Sequence, residues 1–237
     1  MKKVRVEAST KKDRTSEIFG NPMSKKVIRK AQKSKQKNQK KYGDDSKVNY
    51  QCIIRDNSCI GGPLGVKNVV VTRKEGKGSF DEEKGVIVGN IRMGFGHYRI
   101  SMAIASAAHA LGYTPYWMDL NSYPETTCTK LISAQNELYS LGSRISQKSK
   151  LFNKFVWEPV NYEGFRQLSY NAADQKNAEL MAPVYHSVPK DIPVIATHVW
   201  PAQAAVHAGM KHVVNAIPDN WPMALHYAQG SLHTVQS

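Results

Sequence analysis

The stretch from Gly85 to Ala108 constrains the fold more than any other part of the chain. An apolar, β-branched run at 85–91 leads into Arg92-Met93-Gly94-Phe95-Gly96-His97, and an alanine-rich segment of helical period follows. This order predicts a strand, a tight loop and a helix N-terminus. Two glycines spaced by one residue let backbone approach a ligand, and the free N–H groups of the helix favour an anion or a polar oxygen. We therefore predict a ligand site in which His97 faces the ligand.

The helix after His97 is predicted to turn one apolar stripe to the core and to end at Gly112. The stripe consists of Ile100, Ile104, Ala107, Ala108 and Leu111. Beyond it, strands and helices alternate: strands are expected at 113–120, 192–197, 212–217 and 231–235, and helices at 126–145, 164–181 and from Pro201 to Gly209. Repeated β-α units predict an α/β fold, a Rossmann-like, mostly parallel sheet with helices on both faces.

In such a sheet, ligands bind beyond the carboxyl ends of the strands, at the switch point of the strand order. The residues with useful chemistry fall at these predicted ends. They are the glycine loop with His97, then Asp119, His198 and Asp219. Asp119 is expected to cap or orient a loop rather than to catalyse.

The basic charge of the chain is concentrated in its first fifty residues. The net charge is +14, and residues 1–50 hold 16 Lys and Arg against 5 Asp and Glu. Residues 1–48 have too little apolar surface to offset the entropy of ordering, so a disordered tail or a transient helix is expected there. The tail is either a solvated segment or one attracted to an anionic membrane surface. Its few aromatic residues make nucleic acid an unlikely partner.

Several functional classes are disfavoured by what the sequence lacks. The glycine loop has no third glycine for a dinucleotide fingerprint, no lysine of a Walker A loop follows it, and there is no G-x-S-x-G elbow. The three cysteines form no C-x-x-C pair, and the late histidines are not spaced as zinc ligands. We therefore expect neither a cofactor nor a metal. With no apolar span and no secretory signal, a cytoplasmic protein is expected, peripheral at the membrane if the tail binds lipid.

Three separate segments resemble one known family. They are Gly94-Phe95-Gly96-His97 with its alanine-rich helix, Thr197-His198-Val199-Trp200-Pro201, and Pro218-Asp219-Asn220-Trp221. In order and spacing, they resemble the N-terminal domain of GT-B glycosyltransferases of the monogalactosyldiacylglycerol synthase and MurG type. The resemblance covers residues 85–237. It implies a GT-B N-terminal, acceptor-side domain at 85–237, with the donor-binding C-terminal domain absent. Composition and the glycine and proline pattern predict the tail at 1–48 and an irregular or edge-strand lead-in at 49–84 before it.

The resemblance implies transfer of a sugar from a nucleotide-sugar donor, held by the absent domain, to a hydroxyl of a lipid or sugar acceptor. Such a reaction wants a base beside the hydroxyl, and histidine is the side chain whose ordinary pKa suits this at neutral pH. His97 is the implied base, and Asp219 is the rival base or orients the acceptor. The implied substrate-binding residues are Gly94, Phe95, Gly96, Tyr98, His198 and Trp221.

Other interpretations stay open at this point. His97 could cap its own helix, His198 could pack in the core, and Trp221 could be a core tryptophan at the domain edge. The whole chain could be a GT-B-fold enzyme of soluble nucleotide sugars, such as an epimerase. It could also be a non-catalytic α/β binding module whose basic tail contacts RNA or a protein partner.

Overall fold

The fold is built on a seven-stranded, mostly parallel sheet. The computed structural model of the protein describes residues 13–74, 76 and 79–236. The strands are β1 (Glu17–Ile18), β2 (Asn21–Pro22), β3 (Gln51–Asp56), β4 (Lys67–Thr72), β5 (Gly85–Asn90), β6 (Thr114–Asp119), β7 (Val194–Ala196), β8 (Val213–Ala216) and β9 (Leu232–Thr234). The sheet order is β3-β4-β6-β5-β7-β8-β9, while β1 and β2 pair separately. Only β3 runs antiparallel to its neighbour in the large sheet.

Helices cover the sheet and connect its strands. They are α1 (Lys25–Tyr42), α2 (Gly61–Leu64), α3 (Phe95–Ala110), α4 (Thr127–Lys148), α5 (Lys150–Phe152), α6 (Glu158–Tyr162), α7 (Leu168–Ala178) and α8 (Val199–His207). A π-helical turn, Asn153–Trp157, joins α5 to α6, and 3₁₀ turns lie at Gly164–Arg166, Ala182–Tyr185 and Ala224–His226. Within the part of the chain described, none of these helices has the length and apolarity that a membrane span requires.

The central strand β5 shows why this sequence forms such a sheet. All six of its residues are buried, and it pairs with β6 on one side and β7 on the other. A strand covered on both faces has to be apolar throughout, as Val86-Ile87-Val88 is. The chain leaves β5 for β6 and later crosses to β7, so the switch point lies between β5 and β7. The predicted mostly parallel α/β fold is confirmed.

The N-terminal region differs in part from the disordered tail expected over residues 1–48. Residues 25–42 form α1, which packs along α7. Ser24 caps the helix by accepting the N–H of Val27, and Ala31 is buried in the contact. The sequence pattern allowed a transient helix here but did not predict its docking, which includes polar contacts to α7 such as that of Lys35 with Glu179. Residues 1–12 lie outside the described part.

Helix α3 is rotated relative to the predicted apolar stripe. Its buried residues are Ser101, Ala105 and Ala108, whereas Leu111 is 75% exposed. Ala105 packs with Val88 of β5, and its small side chain permits this close approach. The predicted end of the helix is confirmed, since Gly112 has a φ of 82°. This rotation of α3 places Ser101 beneath the end of β7, where its hydroxyl contacts that of Thr197.

Candidate functional site

His97 links the start of α3 to the end of β7. Its Nδ1 lies 2.5 Å from the carbonyl oxygen of Thr197. A carbonyl oxygen only accepts, so Nδ1 carries the proton and Nε2 of the neutral ring keeps a free lone pair. The hydroxyl of Thr197 is fully buried and lies 2.9 Å from Ser101 Oγ. The segment that holds His97 is therefore fixed by α3 and β7 together, and His97 does not cap its own helix.

His198 stands beside His97 with the opposite tautomer. The two rings are 5.0 Å apart, edge to face. His198 Nδ1 accepts the N–H of Trp200 at 3.2 Å, which makes His198 the N-cap of α8 and leaves the proton on Nε2. Burial, with the charges of His97 and His226 adding to it, lowers the pKa of His198 well below its usual range. The ring is therefore neutral and carries an Nε2–H donor, and its centre lies 5.0 Å from that of His97.

Asp219 reaches this cluster through His226, a residue that the sequence analysis did not select. His226 Nδ1 accepts the N–H of Met223 at 3.0 Å, so its proton is on Nε2, which lies 3.2 Å from Asp219 Oδ2. Burial lowers the pKa of His226, Asp219 opposes that shift, and His97 adds to it. Asp219 is half exposed and its contact is with His226. The structure thus supports a positioning role for Asp219 more directly than a role as base.

The rest of the predicted loop faces open space. A Cβ added at Gly94 or Gly96 would meet nothing within 4 Å, and Gly94 has a φ of 82° that favours glycine. Phe95 is 83% exposed and Trp221 is 82% exposed, so Trp221 is not a core residue. Both aromatic side chains follow carboxyl ends of strands, where a ligand could cover them.

Asn90, at the last position of β5, adds a buried polar group to this edge of the sheet. It is fully buried, and neither its oxygen nor its nitrogen has a hydrogen-bond partner among the residues that the structure describes. Strand alternation places it on the face of Val88, under α3. An unpartnered buried amide is costly, about 1 to 3 kcal/mol, and such groups concentrate at functional sites.

A second cavity opens on the other side of the α3 N-terminus. It has a volume of about 650 Å³ and lies between the carboxyl ends of β4 and β6. Tyr98 lines it, together with Trp117, whose ring is 5.2 Å away. Arg92 lies at its mouth and forms an ion pair of 2.7 Å with Asp119. Asp119 therefore orients Arg92.

Comparison with known proteins identifies the family. A family model described as a domain of unknown function, DUF6937, matches residues 17–237. The chain belongs to the DUF6937 family. No curated protein and no solved structure matches it. The matched range includes every strand of the large sheet and the whole histidine cluster.

The sequence-predicted residues of this DUF6937 chain fall into two groups. His97, His198 and Asp219 belong to one cluster, whereas Tyr98 faces the second cavity. Sequence reasoning missed His226 because a short 3₁₀ turn after an irregular loop brings it in, and no periodicity marks such a residue. It also missed Arg92, although a charged residue directly after a buried strand was a usable signal.

Across residues 13–74, 76 and 79–236, no three His, Cys, Asp or Glu side chains are arranged to hold a metal ion. The nitrogens that face the backbone in His97, His198 and His226 are already engaged. Cys52, Cys59 and Cys128 are free thiols, and burial raises the pKa of Cys128 well above its usual range, which makes it unreactive.

Proposed function

We propose that the chain is the acceptor-side half of a glycosyltransferase, which transfers a sugar from a nucleotide-sugar to a hydroxyl group. The observation that carries the proposal is the orientation of His97. Its Nδ1 is held by Thr197 O, so the basic Nε2 is free at the switch point of the sheet. This is where a ligand of a parallel α/β sheet reacts.

The paired tautomers of His97 and His198 suit one acceptor hydroxyl. The hydroxyl donates its proton to Nε2 of His97 and accepts from Nε2–H of His198. A ring nitrogen with a free lone pair is the base that such a reaction needs, and general-base catalysis contributes about 10²- to 10⁴-fold. The pKa of His198 is lowered, so this ring donates without competing for the proton.

The chemical step follows from this arrangement. The acceptor oxygen forms a bond to the anomeric carbon, the bond from that carbon to the nucleoside diphosphate breaks, and the diphosphate leaves with the electron pair. His97 Nε2 receives the hydroxyl proton. Asp219 holds His226 in place through their contact of 3.2 Å. The nucleotide-sugar is bound by a second, donor-side domain, as the GT-B resemblance implies.

A lipid acceptor at an anionic membrane surface is part of the proposal. Nine of the sixteen exposed large apolar side chains in the described residues fall within residues 138–162. We call these residues the α4–α6 segment. Exposed cations, Arg144, Lys148, Lys150 and Lys154, lie among them. Apolar side chains flanked by lysine and arginine are typical of surfaces that insert shallowly into anionic bilayers.

The test is sugar transfer by the full-length protein that contains this chain. The protein would be supplied with radiolabelled UDP-galactose, UDP-glucose and UDP-N-acetylglucosamine in the presence of diacylglycerol vesicles, and labelled lipid would be separated by chromatography. We expect His97→Gln to lower the transfer rate at least about 100-fold, because an amide can keep the bond to Thr197 O but cannot take a proton.

His212→Gln is the matched control. His212 is an exposed histidine next to the amino end of β8, at the opposite edge of the sheet, and its replacement should leave the rate unchanged. Transfer by His97→Gln at the rate of the unmodified protein would refute the assigned role of His97. Absence of transfer with every donor would refute the proposed activity.

A further inference from the structure

The cavity between β4 and β6 exists because these strands separate. They pair only at Lys67 with Tyr116 and at Asn68 with Trp117, although both continue past these positions. The Tyr123 hydroxyl donates to the carbonyl oxygen of Val69 at 2.9 Å, where strand pairing would otherwise continue. A side chain thus bridges the gap, and the space beyond it stays open as the cavity of about 650 Å³. We call it the Arg92 pocket.

Arg92 is fixed in position by two contacts, and three of its N–H groups remain available to a ligand. Its Nε lies 2.7 Å from Asp119 Oδ2 and its Nη2 donates to Ser122 Oγ at 3.0 Å. Two of the five N–H groups are used in this way, and the guanidinium is 60% exposed. The three remaining N–H groups form a planar fork that suits a phosphate or a carboxylate.

The carboxylate of Asp119 leaves these three N–H groups of Arg92 free for a ligand. It accepts the N–H of Asn121 at 2.9 Å and the hydroxyl of Ser122 at 2.8 Å, besides its ion pair with Arg92. Only 6% of its side chain is exposed. Asp119 therefore holds Arg92 from behind, and the face of Arg92 toward the pocket is left for a ligand.

The opposite wall adds positive charge and hydrogen-bonding groups. Arg73 and Lys74 lie at the carboxyl end of β4 and line the pocket, and Glu125 is the one other carboxylate among the described residues of the lining. The amides of Asn57 and Asn68 also line it and bond to each other at 3.0 Å. Amides and cations around a cavity suit a ligand that has several hydroxyl groups and a negative charge.

The remaining surface of the pocket is aromatic. Tyr98 and Trp117 meet edge to face, and Tyr123 continues this wall. Sugar rings pack with their C–H faces on aromatic side chains while their hydroxyls reach polar neighbours. The volume is within the range of small-molecule sites.

We propose that the Arg92 pocket binds an anionic sugar, whose phosphate or carboxylate pairs with Arg92 and whose ring lies on Tyr98 and Trp117. The pocket lies across the α3 N-terminus from the histidine cluster. The proposal goes beyond sugar transfer at His97 and does not depend on it.

Isothermal titration calorimetry of the full chain tests the proposal. The probes are glucose 1-phosphate, glucuronic acid, glucose and inorganic phosphate. We expect glucose 1-phosphate or glucuronic acid to bind saturably and at least about tenfold more tightly than glucose or phosphate, because ring and anion both contribute. The stronger of the two anionic sugars identifies the charged group.

Two variants and two controls locate the site. Arg92→Gln should weaken the binding of the anionic sugar at least about tenfold, and Lys74→Gln, an exposed change that leaves Asp119 paired, should weaken it about threefold. Arg55→Gln, an exposed arginine of β3 outside the pocket, should bind as the unmodified protein does. His97→Gln should also bind normally, which separates this proposal from the proposed transfer activity.

Three results would overturn the proposal. One is the absence of saturable binding of either anionic sugar at millimolar concentration. The second is binding of the anionic sugar by Arg92→Gln and by Lys74→Gln that is as tight as binding by the unmodified protein. The third is binding of inorganic phosphate as tight as that of glucose 1-phosphate.

Discussion

Asp174 of α7 is a buried carboxyl group that the histidine site does not use. Its Oδ2 accepts the indole N–H of Trp200 at 3.4 Å, and burial raises its pKa from 3.8 to about 7. Trp200 in turn contacts the ring of His198. Asp174 therefore supports the cluster from behind, at a cost in stability whenever it is ionised.

Replacing Asp174 with asparagine should stabilise the protein in a pH-dependent way. The folded chain binds this proton more tightly than the unfolded chain, so its free energy of unfolding falls as pH rises from about 4 to about 7. Asp174→Asn removes this loss and keeps an acceptor for Trp200. We expect the variant to be more stable by up to about 4 kcal/mol at pH 8, and by little near pH 4.

Urea unfolding at both pH values measures this difference. A stability difference that is the same at pH 4 and pH 8 would show that Asp174 does not titrate in this range.

At the scale of elements, α1 is held to the domain mainly by polar contacts with α7. Asn38 donates to Asn177 at 2.9 Å, Asn177 donates to Ser34 at 3.1 Å, and Lys35 pairs with Glu179. Ala31 is the buried residue at their centre. The opposite face of α1 keeps several lysines exposed, so the helix presents positive charge while it is docked.

A charge at Ala31 should separate α1 from α7. Ala31→Glu would bury an unpaired carboxylate near Glu179, at a cost of about 2 to 4 kcal/mol in the free energy of unfolding. The neighbouring Lys30→Glu, on the exposed face, should change it by less than about 0.5 kcal/mol. Urea unfolding measures both, and limited proteolysis should cut the Ala31→Glu variant within α1. Equal stability of the two variants would contradict the docked position of α1.

At the scale of the whole molecule, the exposed large apolar side chains are concentrated in the α4–α6 segment. This segment is distant in sequence from the positively charged N-terminal region. In the α4–α6 segment, the Tyr139 ring contacts Trp157, and a Cβ at Gly142 would lie 2.2 Å from the Trp157 ring. This inner contact holds α4 against the π-helical turn. The apolar side chains on the outside, such as Leu151 at 72% exposure and Phe155 at 68%, have solvent as their neighbour.

Vesicle sedimentation tests whether this surface binds lipid. The protein should sediment with vesicles containing phosphatidylglycerol and less with phosphatidylcholine alone. Leu151→Ser with Phe155→Ser should lower the partition coefficient at least about tenfold, because each side chain contributes about 1.5 to 3 kcal/mol when buried. Leu111→Ser, at an equally exposed leucine after α3, should have no effect. Vesicle binding that is unchanged in the double variant would contradict a lipid-facing role for this segment.

The local sequence pattern predicted the buried strands of the parallel sheet. The β-branched run of β5 and the strands before Asp119 and His198 were all found from periodicity, because a buried parallel strand has to be apolar. The phase of α3 was not, since its core face uses Ser101 and alanines, which carry little apolar signal. The docking of the helix at 25–42 was not predicted, because it depends on polar partners of α7 that lie far away in sequence.

The candidate site likewise has features that local sequence determines and features that depend on distant residues. The sequence alone determined that His97 follows a glycine loop at a strand end, since that depends on local chain geometry. Only the tertiary structure decided that Thr197 fixes the tautomer of His97, that His226 joins Asp219 to the cluster, and that β4 and β6 separate beside Arg92. These features depend on which strands become neighbours and where they diverge, and that is a property of the whole sheet rather than of any segment.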